Sequence, residues 1–284
     1  RGSHQCFSDP EGSRLVLQDA FERCGAVGES YWETYAECGL AFCWIMLERI
    51  DQARPLLDHM EARARRLGNP QLVADALSRR AVIDYTAGRY AEIEATCREL
   101  EGEFAQLTHV NVTAAPRSML MSAEAVRGRG LVHEAAAREL LGAYLRSGEI
   151  QHVPLIIGAL ADILIATDRA AGAEPMLAEL AGLVEPYPYF RVRTRHRRAL
   201  VAMALDDRAT ARELLDRTAE DTSAIGNLAT GAETAILLAV LDRRDRRHRA
   251  AFDHAWAGAS GAAVLGAEQT LAAALEVLAA LLAD

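Results

Sequence analysis

The chain contains no lysine, so all 31 of its basic residues are arginine. That absence removes several kinds of chemistry: there is no Walker-type phosphate lysine, no Schiff-base amine and no kinase-type lysine. Aromatic residues are scarce at 6% and β-branched residues are few. Ala, Leu, Glu and Arg are left to build helices that pack through small side chains. No apolar run reaches the roughly 18 to 20 residues that span a bilayer. The 5 cysteines include no CxxC pair and follow no secretory apolar segment, which predicts free thiols in a reducing cytoplasm. A formal net charge of -9 would repel a polyanion and argues against direct nucleic-acid binding by this chain.

What is present is a repeat. At 284 residues the chain is long for one hydrophobic core, which leaves two domains or an elongated array. Ala41, Ala81, Ala123, Ala161, Ala199 and Ala239 lie 40, 42, 38, 38 and 40 residues apart, and twelve residues after each comes Ala53, Ile93, Ala135, Ala173, Ala211 or Ala251. One small residue on each of two helices lets their backbones approach closely. Counting 27 residues on from Ala41, Ala199 and Ala239 reaches Gly68, Gly226 and Gly266. Glycine there suits the left-handed residue that ends a helix. The other units have Thr108, Ile150 and Pro188 instead. Extending the register outward meets Gly28 before the first unit and Ala279 after the last.

These offsets predict an all-α fold: a right-handed α-solenoid of about six antiparallel helix pairs, with one unpaired helix at each end. The opening "RGSH" reads as a tag scar, with residues 1–12 a flexible start and 13–284 a single helical-repeat domain cut from a longer protein.

The hairpin "AVIDYTAGRYAEIEATCREL" resembles a tetratricopeptide repeat, with Ala81, Gly88 and Tyr90 at the family's small, glycine and aromatic positions around "TAGRY". Ile93 and Cys97 depart from that pattern, and the units exceed the family's 34 residues. "ARRLGNPQLVADAL" is similar to segments in the repeat regions of MalT-like, LuxR-type bacterial transcriptional regulators. That resemblance implies a ligand-sensing or protein-interaction module without catalysis or cofactor. Its partners would be a small-molecule or peptide effector and the other domains of a parent regulator, with no membrane or direct nucleic-acid contact. A free-standing peptide-binding adaptor is the alternative.

In a tetratricopeptide-like array the first helix of each unit lines the concave face. Projecting the register places Tyr35 and Phe42 there, then Asp75, Ser78 and Tyr85, then Arg117 and Arg127, then Asp162, and finally Arg193 and His196. Arginines outnumber acids on this projected wall, which points to an anionic ligand; against that stands packing of the aromatics and solvation of the arginines. In "EPYPYFRVRTRHRR" two prolines break the helix, after which Arg191, Arg195 and Arg198 share one face and Arg193 and Arg197 another. "LDRRDRRHRA" reads as an Arg-rich turn. Cys38 and Cys43 are about 500° apart on a helix and so face different ways, which disfavours a metal site. Asp206 and Asp207 lack the third carboxylate of a DDxxD site, since Thr210 stands there, and fit a turn between helices better than an isoprenoid-cyclase centre.

Overall fold

A computed structural model of the chain describes residues 5–104, 111–147 and 152–283. Among them are fourteen α-helices and no strand: α1 (Pro10–Val27), α2 (Ser30–Met46), α3 (Ile50–Arg66), α4 (Pro70–Thr86), α5 (Tyr90–Gly102), α6 (Asn111–Val126), α7 (Glu134–Ser147), α8 (Val153–Ala166), α9 (Glu174–Val184), α10 (Pro188–Ala204), α11 (Arg208–Ile225), α12 (Leu228–Arg244), α13 (His248–Leu265) and α14 (Glu268–Ala283). Short 3-10 turns, Gly130–His133 and Ala170–Gly172, lead into α7 and α9. Neighbouring helices pack in sequence order, as in a helical solenoid array. The helices group as six pairs, α2/α3 to α12/α13, with α1 and α14 left over. Contacts gather them into two compact units, one of residues 1–85 and 89–120, the other of residues 86–88 and 121–284. Among the described residues no helix is long and apolar enough to cross a membrane.

Two kinds of corner produce this arrangement. Between pairs, a helix ends on a left-handed glycine: Gly28, Gly68, Gly226 and Gly266 have φ of 76°, 62°, 70° and 64°. Asn69 and Asn227 follow two of them and cap the next helix, accepting from the backbone N–H of Leu72 and Thr230 at 3.1 and 2.9 Å. An asparagine at that position satisfies an amide the helix cannot pair itself. Within pairs, the left-handed residue is Glu48, Gly88, Gly128, Asp168, Asp206 or Arg246. These positions are separated by 40, 40, 40, 38 and 40 residues. At each, the following N–H closes back onto a carbonyl five residues earlier, as from Arg49 to Trp44 at 2.8 Å and from Arg247 to Asp242 at 2.8 Å, which is the Schellman closure.

These corners correct the predicted register in the third pair. Measured back from Gly128, the position of Ala41 belongs to Met121, and that of Ala53 to His133. Ala123 is buried but two residues late, and Ala135 is exposed. The short 38-residue step arises where α9 stops at Val184 and Pro188 opens α10, so Pro188 begins a helix where other units have a terminal glycine. Thr108 and Ile150 lie outside the described residues, as does the "RGSH" segment.

The start of the chain is more ordered than expected. Asp9 caps α1 by accepting from Gly12 N–H at 2.9 Å, with Pro10 at the first helical position. Cys6 is buried and Phe7 packs edge-on against Phe42 at 5.1 Å. The Asp-Pro helix-start signal places folded structure inside the stretch read as flexible.

The core is built from the small register residues and the leucines around them. In the first unit, Ala41, Ala53, Leu57, Leu77, Ile93 and Leu100 belong to one cluster; in the second, Ala199 and Ala211 meet beside Leu215 and Leu241. Ala199 has no exposed surface. Ala199→Leu is therefore expected to force α10 and α11 apart and cost about 1–3 kcal/mol, read as a lower urea midpoint; an unchanged midpoint would show that close approach is not required there.

Candidate functional site

The ten projected residues divide between the two units. In the first, Tyr35 is exposed on α2 and stacks edge-on with Trp32 at 5.9 Å. Phe42 lies under the Arg79 guanidinium, whose carbon is 4.5 Å from the ring centroid. Arg79 Nε also donates to Cys38 Sγ at 2.9 Å, and Asp75 contributes favourably to its charge. Ser78 and Tyr85 are partly buried on α4, with Tyr85 6.2 Å from Tyr90. Arg117 is exposed and pairs with Glu101 at 3.1 Å.

In the second unit the projection fails at Arg127, which lies beyond the end of α6 in the turn before Gly128 and reaches Glu124 at 3.4 Å. The two-residue slip in register carried it off the helix wall. With Arg117 and Arg127 both paired to carboxylates, the excess of unbalanced arginines expected from the projection is not found at these two positions.

The other three residues do come together. Asp162 on α8, Arg193 and His196 on α10, and Glu233 and Thr234 on α12 occupy consecutive first helices, and α10 contacts both α8 and α12 directly. His196 Nδ1 is 3.0 Å from Thr234 Oγ1 and its Nε2 is 3.6 Å from Glu233. Burial pushes this imidazole down to about 4, with Arg197 and Arg193 acting in the same direction and Glu233 against it. It is therefore neutral at neutral pH. Arg193 lies 5.8 Å from the Tyr189 ring centroid.

Arg197 joins these groups and is the residue the projection missed. Its Nε and Nη2 each donate to Asp162 at 3.1 Å, and both side chains of the pair are nearly buried. The guanidinium lies against Gly158, where a Cβ would sit 2.8 Å from Cζ. A glycine is needed for that approach.

The signal for Arg197 is in the sequence as the repeated "RRA" at 79–81 and 197–199. In both copies the first arginine reaches back along the row of first helices, Arg79 to Cys38 and Phe42, Arg197 to Gly158 and Asp162. The second turns to the preceding second helix, Arg80 to Glu61 at 2.6 Å and Arg198 to Glu174 at 2.5 Å. The remaining arginines of the basic helix are also engaged: Arg191 and Arg195 reach Asp221 at 3.4 and 2.7 Å. The basic run is thus largely an ion-pair lattice between helices.

A second pattern missed in the sequence is an acid five residues before an arginine across the within-pair corner. Asp84–Arg89, Glu124–Arg129 and Asp242–Arg247 are all ion pairs. Asp206 and Asp207, weighed as metal ligands, take structural places instead: Asp206 is the left-handed corner and Asp207 caps α11 by accepting from Thr210 N–H at 3.1 Å. Among the described residues no group of three or more His, Cys, Asp or Glu side chains is arranged to hold a metal ion. All five cysteines are outside disulfides. No protein-family model matches the chain, and no curated protein matches it.

Proposed function

We propose that the chain is a non-catalytic ligand-sensing module, the helical-repeat region of a bacterial transcriptional regulator that works in the cytoplasm. The helical array and the likeness of "ARRLGNPQLVADAL" to such regulators support this reading. The observation that carries it is the polar wall of α8, α10 and α12. Two arginines, a neutral histidine and two carboxylates lie there on consecutive first helices. An anionic effector would compete with Asp162 for Arg197 and engage Arg193 beside it, and desolvation would strengthen a two-point arginine contact.

A thermal-shift screen of small carboxylates and phosphates identifies a binder by a raised midpoint. Titration calorimetry then compares variants. Arg193→Ala is expected to weaken binding by about 1.5–3 kcal/mol, with Arg244→Ala and Arg127→Ala, both outside the wall, as controls. Equal affinity in all three variants would remove the site. The adaptor alternative is favoured by one separate observation, the exposed aromatic row Tyr31, Trp32 and Tyr35 on α2. Sequencing the parent gene separates the two readings, since flanking nucleotide-binding and helix-turn-helix segments belong to a regulator.

A further inference from the structure

We infer that Cys6 and Cys43 form an oxidisable thiol pair that locks the N-terminal segment onto the first unit as an intramolecular disulfide. Their sulfurs are 3.2 Å apart and buried, well inside ordinary contact, so joining them needs about 1 Å of movement. The two thiols differ in chemistry. The two sulfurs share a hydrogen bond in which either can donate; this contact, helped by the nearby Arg79 cation, draws the Cys6 thiol down to about 7, while the same interaction raises Cys43. Cys6 is thus the thiolate and Cys43 the resolving thiol.

Access comes from the segment itself. Before α1, residues 5–9 are held by local backbone bonds from Ser8 and Asp9 to Gln5 and by the burial of Cys6 and the Phe7–Phe42 contact. Cys6 also packs with Leu17 and Leu40 and meets Ser13, so a small oxidant enters when this short segment before α1 opens locally. The other cysteines lack this arrangement. Cys38 is tied to Arg79 with its thiol raised by burial, Cys97 is pushed up to about 12 by burial, and Cys24 lies on α1.

With a hydroperoxide as oxidant the steps balance. The Cys6 thiolate attacks the distal oxygen, the O–O bond breaks, and protonation of the leaving oxygen releases water, or an alcohol from an alkyl hydroperoxide, leaving Cys6–SOH. The Cys43 sulfur then attacks the Cys6 sulfur, the S–O bond breaks, and the Cys43 proton leaves with hydroxide as water. The product closes a loop between residues 37 positions apart and fixes the segment over Phe42.

The test treats the folded full chain with a small excess of hydrogen peroxide, followed by thiol counting and non-reducing peptide mapping. Two of the 5 thiols are expected to disappear together, with a Cys6–Cys43 cross-linked peptide, a mass lower by about 2 Da, and a raised Tm that dithiothreitol reverses. Cys43→Ser keeps a hydrogen-bond donor and should still fold by circular dichroism, yet give no cross-link and accumulate a Cys6 sulfenic acid trapped by dimedone. Oxidation beginning at Cys24, intermolecular disulfides as the main product, or retention of all five thiols would each overturn the inference.

Discussion

Asp242→Ala is expected to cost about 3 kcal/mol of stability, the low end of what breaking a buried ion pair costs. Asp242 sits on the last turn of α12 with 1% of its side chain exposed, its Oδ1 2.7 Å from Arg212 and 2.8 Å from Arg247, and its Oδ2 2.7 Å from His254. One carboxylate therefore connects α11, α12, the corner and α13. Removing it strands Arg212, which is mostly covered. The loss stays at the low end because Arg247 is half-exposed and because Asp245 remains within 3.4 Å of Arg212 and 3.2 Å of Arg247. Asp242→Asn, which keeps the shape, separates charge from packing and should recover little. The comparison is Glu213→Ala, whose pair with Arg217 lies on the surface and should leave the urea midpoint unchanged. Similar midpoints for Asp242→Ala and Glu213→Ala would refute the account.

The second large effect is a dependence on pH centred on His196. Its folded-state value is held near 4 by burial, below the ordinary 6.5. Between those two values the unfolded chain carries a proton that the folded chain refuses, so stability falls as pH falls and the loss is complete near pH 4. At about 1.4 kcal/mol for each pH unit between the two values, the contribution is about 3 kcal/mol between pH 7 and pH 4. Glu233 and Asp162 soften it by attracting the protonated ring, and Arg193 and Arg197 sharpen it. His196→Gln keeps a hydrogen-bonding group for Thr234 and cannot titrate. Denaturant curves at pH 7, 5.5 and 4 should show the natural chain losing about 3 kcal/mol more than this variant. Parallel losses would show that His196 is already charged in the fold.

The helix pairs were legible because alanines such as Ala41 and Ala81 recur at the spacing of a two-helix unit, and because Gly68, Gly226 and Gly266 mark helix ends. The register of the third pair was misread for a physical reason. Alanine is common enough that Ala123 and Ala135 satisfied the offset by chance, while the true fixed point of each pair, its left-handed corner, is occupied in four pairs by Glu48, Asp168, Asp206 and Arg246. A non-glycine residue there costs about 1–2 kcal/mol and carries no glycine signature. Of the polar wall, Asp162, Arg193 and His196 are legible from the register because they lie on first helices. Arg197 was missed because its partner Asp162 lies 35 residues earlier, a distance at which only the repeat brings side chains together.

The even spacing of those corners makes the chain divisible. Excising residues 207–246 would join Asp206 to Arg247, and the new junction would have the left-handed residue and the arginine already found together at Asp168 and Arg169. The α11–α12 segment is thus a cassette whose two ends share one backbone geometry, and the chain can be shortened or lengthened by whole periods at such points without a new kind of joint.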